Sequence, residues 1–280
     1  MFGTIIWDVF SRADAGELRD AIDDLASPTD QIGWSSAGVY AFYDPELGAR
    51  QACGGRIKYV GLAVDLSDRF AQHNGIKATR AGSSKREKIE DWFRVHEYLG
   101  YSAFVQTPLH QAHNSRFNRN IGITDWIEDF EYDAEAREAI ALIEGQLIQS
   151  GVLDEGSRPE WNKIGGLRAG QNRAAGGSGM ALLRLLDGTE DSLFVARRSI
   201  RQLAADSAAY FYESDILHTA RVQALIAASE EGASNGHIMS QLDRMARDDS
   251  PWSANGLGSH ICDQISRMRD TGYLASTTRK

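Results

Sequence analysis

Residues 37–73 constrain the fold more than any other part of this chain. They read Ala-Gly-Val-Tyr-Ala-Phe-Tyr, a polar Gly-containing loop, Ile-Lys-Tyr-Val-Gly-Leu, and then Asp-Leu-Ser-Asp-Arg-Phe-Ala-Gln-His. Residues 39–43 and 57–62 are rich in β-branched and aromatic side chains and predict two strands. Residues 44–55 are too long for a tight turn and predict a hairpin loop, so the strands should pair antiparallel. Asp65 is a good N-cap for a helix over 66–74. Arg69 and His73, four apart, then share one face of it.

The rest of the chain alternates helical and β-prone segments. Residues 1–12 are apolar and β-prone. Residues 13–26 carry Leu18, Ile22 and Leu25 at helical spacing, and Ser27-Pro28 ends that helix. A helix over 85–98 and a third strand over 101–107 follow. Residues 134–150 predict a strong helix, with Ala136, Ile140, Ile143, Leu147 and Ile148 as its apolar stripe, Glu144 beside the stripe and Gly151 as C-cap. Residues 165–179 are rich in Gly, Ala and Ser and read as a linker. Residues 191–209 read as a helix. Three further helical patterns lie between 214 and 271, and the β-prone tail after them suggests a winged helix-turn-helix. A helical dimerisation or scaffold domain fits that region equally well.

Charge and cysteine content limit the function classes. The net charge of −9 over 280 residues argues against a protein that coats nucleic acid, but its distribution is uneven. Residues 1–49 hold nine acids and two bases, whereas residues 50–120 hold twelve Lys/Arg and six Asp/Glu. An anionic partner should therefore meet the middle segment. No run of eighteen apolar residues and no signal-peptide layout is present, so neither a membrane partner nor export is expected. Cys53 and Cys262 lie far apart outside any Cys-x-x-Cys pair, which fits a reducing cytoplasm better than a disulfide framework or thiolate zinc site. No P-loop is present, and the Gly-x-Gly segments do not follow strands.

Gly38-Val39-Tyr40 and Tyr59-Val60-Gly61 resemble the paired signature of the GIY-YIG nuclease family, with Val for Ile in both halves. Arg69 and His73 follow on the first helix, Glu144 lies in a later helix within Ile-Glu-Gly-Gln-Leu-Ile, and Asn162 follows a Pro. The resemblance covers residues 38–162. The long interval between Arg69 and Glu144 departs from the family pattern and suggests an insert around 76–120. The resemblance implies an α/β (α+β) core, a small, mainly antiparallel three-stranded sheet flanked by helices. Residues 1–36 would be an N-terminal helical extension, 37–165 the nuclease core, 166–190 a Gly-rich linker, and 191–280 a helical C-terminal domain, winged-helix or scaffold.

The resemblance further implies a divalent-metal-dependent endonuclease acting on DNA, double-stranded DNA first, with restriction or phage defence as the setting by analogy. Mg²⁺ or Mn²⁺ would be held by Glu144. Tyr40 would be the general base, Tyr59 would orient water or phosphate, His73 would assist Tyr40 or the phosphate, and Asn162 would fix the geometry. The competing classes are a catalytically idle DNA-binding regulator on the same scaffold and an RNA-directed nuclease. A homodimer is compatible with each.

The residue types suit this chemistry on their own. Phosphodiester hydrolysis needs an activated oxygen nucleophile, stabilisation of charge on the phosphate and help for the leaving oxygen. A lone carboxylate can hold a hard cation that keeps most of its waters, which suits Glu144. The fork of Arg69 suits phosphate oxygens at any working pH. A phenol with an ordinary pKa of about 10 is too weak a base at neutral pH, so Tyr40 needs a neighbouring cation, Lys58 or the metal. Taken singly, each residue has a plainer reading: half-buried strand aromatics for the tyrosines, a solvated helix face for Arg69 and His73, and an exposed carboxylate for Glu144. Their joint order favours the functional one. His110 and His113 are a loop pair without a clear third ligand, closer to surface polarity or a DNA contact than to a metal site.

Overall fold

The computed structural model describes residues 3–26, 37–47, 56–79, 84–106, 134–189, 195–196 and 198–206. Residues 207–280, which hold most of the expected C-terminal helical domain and its suggested winged helix-turn-helix (with Ser259, His260, Gln264, Arg267 and Arg269 as the DNA contacts that reading offers), both cysteines, His110 and His113 lie outside the described residues.

Four antiparallel strands form one sheet: β1 (Gly3–Phe10), β2 (Gly38–Tyr43), β3 (Ile57–Ala63) and β4 (Leu99–Gln106), in the order β1-β4-β2-β3. The three-stranded expectation gains β1 as an edge strand. β1 pairs with β4 from Gly3↔Gln106 to Phe10↔Leu99, a partnership about a hundred residues distant that local pattern does not reveal. Segment 1–36, read as an extension, thus gives the sheet a strand and its core a helix. Segment 76–120, read as an insert, carries β4, which pairs with both β1 and β2.

Helices cover both faces. On one side lie α1 (Ala15–Ala26), α2 (Leu66–His73), α3 (Arg86–Trp92) and α7 (Ile200–Ala205), packed around Phe10, Phe42, Phe70 and Tyr101. On the other lie α4 (Ala134–Glu155) and α6 (Ser178–Leu186), around Ile5, Val39, Val60, Ile140 and Leu147. Each face takes alternate residues of the strands, as the pleat requires. Among the described residues no helix is long and apolar enough to cross a membrane.

Segment 165–179 is not a linker. It contains a short helix, α5 (Arg168–Gln171), and a 3₁₀ turn, Ala174–Gly176, and it folds back onto α4. Gly170 permits this, because a Cβ there would collide with the carbonyl oxygen of Leu142 on α4. Composition cannot distinguish glycine used for close approach from glycine used for flexibility. α4 also runs through Gly151 to Glu155, and Gly156 (φ +73°) follows it.

The two outer edges of the sheet are both covered. Beyond β1, Ala196 donates its backbone N–H to the carbonyl of Ile5 at 2.8 Å and accepts from the Trp7 indole at 2.9 Å. Arg201, on α7, then bridges Asp8 at 3.0 Å and Asp14 at 2.7 Å. Beyond β3, the Lys58 carbonyl accepts from the Trp161 N–H at 2.8 Å. Asn162 pairs with both backbone groups of Val60, accepting at 2.9 Å and donating at 2.7 Å. The Leu62 N–H is taken by the carboxylate of Glu144. An edge strand's free groups need such partners when buried.

Candidate active site

The site forms where β2, β3, α2 and α4 meet. Tyr40 on β2 and Tyr59 on β3 point to the same face, with ring centroids 5.9 Å apart. Gly61 makes room for them: a Cβ there would lie 2.7 Å from the Tyr40 hydroxyl oxygen and 2.8 Å from the Tyr59 ring. Gly38 has a different task, since a Cβ there would strike the Phe104 carbonyl of β4. The two signature glycines are therefore steric requirements, one of the phenols and one of the sheet.

α2 brings Arg69 and His73 to the same point. Asp65 caps it by accepting the Asp68 N–H at 2.9 Å. The imidazole of His73 is fully buried, and its Nε2 lies 2.6 Å from the Tyr40 hydroxyl oxygen. Its Nδ1 accepts the backbone N–H of Lys85 at 2.8 Å. An amide can only donate, so a neutral ring must carry its proton on Nε2 and give it to Tyr40. Burial, reinforced by Arg69 and Lys85, pushes the His73 pKa down to about 2, so the ring is neutral at any physiological pH. Arg69 Nε donates to the same phenol oxygen at 3.3 Å, and Arg69 also bonds Tyr59. Its Nη1 donates to Gln72 at 3.0 Å.

The oxygen of Tyr40 thus receives two donors, and its hydroxyl also bonds that of Tyr59. Both donors favour a phenolate, but burial opposes them and wins: the Tyr40 pKa stands well above 10, and that of Tyr59 is raised for the same reason. Tyr40 is a phenol here.

Glu144 reaches the site around the edge of β3. Burial raises its pKa to about 7, against the opposing effects of the Leu62 N–H and Arg69. Its charge acts on Tyr59. A part-buried carboxylate whose positive neighbours do not fully offset desolvation has room for another cation. Among the described residues no three His, Cys, Asp or Glu cluster as metal ligands. The carboxylate of Glu144 suits a hard divalent ion that retains its waters, and the described residues offer no zinc-type cage.

Tyr40, Tyr59, Arg69, His73 and Glu144 are thus brought together. The amide of Asn162 hydrogen-bonds the backbone instead: it holds the β3 edge at Val60, the residue between Tyr59 and Gly61. Lys58 is placed elsewhere, beside the β-bulge between Phe42 and Tyr43, with its ammonium 5.6 Å from the Trp92 ring centroid. The cation over the Tyr59 ring, at 4.8 Å, is Lys85, which sequence reasoning missed. Its position at the start of a predicted helix in a basic segment carried no signal that its amide would reach back to His73. No family model matches this chain, and neither a curated protein nor a solved structure does.

Proposed function

We propose that this chain is a divalent-metal-dependent endonuclease of the GIY-YIG type that hydrolyses phosphodiester bonds in DNA. One observation carries the reading: two phenols, a guanidinium, a neutral imidazole and a part-buried carboxylate, drawn from four separate elements, converge on one point. Arg69 binds a non-bridging phosphate oxygen and offsets charge that grows in the transition state. Glu144 would hold Mg²⁺ or Mn²⁺, and such an ion polarises the phosphate and lowers the pKa of bound water. Tyr40 is the base, and its deprotonated form requires further positive charge beside it to overcome burial. His73, locked in one tautomer by the Lys85 amide, orients Tyr40 and stabilises negative charge on its oxygen without changing its own charge. Tyr59 orients the nucleophile, and Asn162 holds the strand that bears Tyr59.

The test is cleavage of plasmid DNA, single-stranded DNA and RNA in Mg²⁺ or Mn²⁺ by the wild type and Glu144→Ala. Wild type should cut plasmid DNA and the variant should not. A wild type that cuts nothing would leave the idle-scaffold reading, and one that cuts only RNA would replace the substrate.

A further inference from the structure

Beside the phenols lies a groove of about 620 Å³ whose walls include Gln72, Lys85, Lys88, Trp161 and Lys163. Two of these residues also belong to the site. Gln72 accepts from the guanidinium of Arg69, and Lys85 places its ammonium over Tyr59 while its amide fixes His73. The groove is therefore continuous with the phosphate-binding end of the site.

Its charge is unusual for a protein of net charge −9. Two other cations on the lining are engaged, Lys77 with Asp68 at 2.6 Å and Arg86 with Glu90 at 2.7 Å. Lys85, Lys88 and Lys163 make no ion pair among the described residues. Lys88 and Lys163 are exposed. Burial and then the positive charges of Lys163, Arg69 and Lys88 pull the Lys85 pKa down, so these groups are close enough to repel one another. Like charges held together without a partner raise the local potential for an anion, and a groove focuses it. Glu87 and Glu160 also line the groove and limit the excess to three lysines outside ion pairs against two carboxylates there.

We propose that this groove is the track for the DNA strand flanking the cleaved bond: Lys85, Lys88 and Lys163 take consecutive backbone phosphates next to the one held by Arg69. Phosphates follow one another along a strand at about 3.4 Å of helix rise, so a row of lysines leading out of a site that grips one phosphate meets its neighbours. The contacts go to the backbone, so they supply affinity and register but no sequence preference. Trp161 has its ring packed against Phe42 and Trp92 and serves as a wall rather than a stacking platform.

The choice of DNA as the anion rests on the nuclease reading, so binding and cleavage are measured separately. A short fluorescein-labelled DNA duplex and its single strand are titrated in EDTA with full-length Glu144→Gln, with and without Lys85→Gln, Lys88→Gln and Lys163→Gln together. The lysine changes leave the Lys85 amide in place, and thermal melting checks the fold. The expected result is binding at least about tenfold weaker at low salt, and a log K against log salt slope shallower by about 2 to 3. The Lys88→Gln/Lys163→Gln pair alone should lose about two-thirds of that slope change. Unchanged affinity and slope, or no DNA binding by the Glu144→Gln parent, would overturn the proposal. Lysine-dependent binding by a wild type that cuts nothing would sink the nuclease reading and leave the groove standing.

Discussion

The two edges of the sheet meet the same physical demand in different ways. At β1 the exposed backbone is covered by another backbone segment, an indole N–H and an ion-pair cluster on Arg201. At β3 one backbone N–H, that of Trp161, covers Lys58, but the rest of the cover is made of side chains, and one of them is a carboxylate that gains little from being there. Asn162 satisfies Val60 completely, whereas Glu144 satisfies Leu62 with a group whose pKa is driven up to about 7. A neutral amide or hydroxyl could serve the same N–H without that cost. An edge that accepts the cost beside two tyrosines and an arginine is arranged for something other than stability. Perturbed groups of this kind gather at functional sites.

Changes at the two edges should therefore separate stability from chemistry. The largest stability loss is expected at the β1 edge. Arg201→Met removes the guanidinium from Asp8, which is 3% exposed, and should cost about 3 kcal/mol in urea unfolding. Cleavage per folded molecule should stay close to wild type; a comparable loss of activity would break the division between the edges. Asn162→Leu should cost about 2 kcal/mol, because both Val60 backbone groups lose their partner. Unlike the first change, it should also slow cleavage, since the strand it loosens carries Tyr59.

Much of this site is legible in the sequence, because the residue types and their order survive without knowledge of the fold. Spacing alone puts Arg69 and His73 on one helical face, and the Asp65 cap fixes where that helix begins. Three things were not legible. The place of β1 in the sheet depends on pairing with β4 across the whole sheet-forming region. The packing of segment 165–179 depends on backbone approach that only a structure reveals. The role of Lys85 depends on its amide, which every residue except proline possesses, and not on its side-chain type. The tyrosines, by contrast, are paired in the sequence by the resemblance of their two motifs, and the register Tyr40↔Gly61 and Phe42↔Tyr59 then sets their common face.

Two smaller effects sharpen the comparison. Trp7→Phe removes one buried hydrogen bond to the Ala196 carbonyl and should cost about 1 kcal/mol, with no change in cleavage. Glu144→Gln should act on stability in the opposite sense. The folded-state pKa of Glu144 is raised to about 7 from an ordinary 4.5, so its contribution is fully present below about pH 4.5 and lost as pH rises through 7. At pH 8 the wild type bears the full penalty of the buried charge. Glu144→Gln should then be more stable than wild type by on the order of 1 kcal/mol, discounted for partial exposure, and the gain should vanish near pH 4.5. Melting curves at the two pH values, without divalent metal, read this directly; a gain that grows as pH falls would reverse the assigned cause. Because an ion on Glu144 competes with that proton, Mg²⁺ affinity measured by calorimetry should also weaken as pH falls below 7.

The central claim is that the β3 edge is catalytic and the β1 edge is not. It is tested most directly by the nicking rate of supercoiled plasmid in saturating Mg²⁺, compared for wild type, Trp7→Phe and Glu144→Gln at equal folded concentration. The account predicts that Trp7→Phe matches wild type and that Glu144→Gln falls by on the order of 10²–10³-fold or more, although it is the more stable protein at pH 8. Equal nicking by Glu144→Gln and wild type would contradict it.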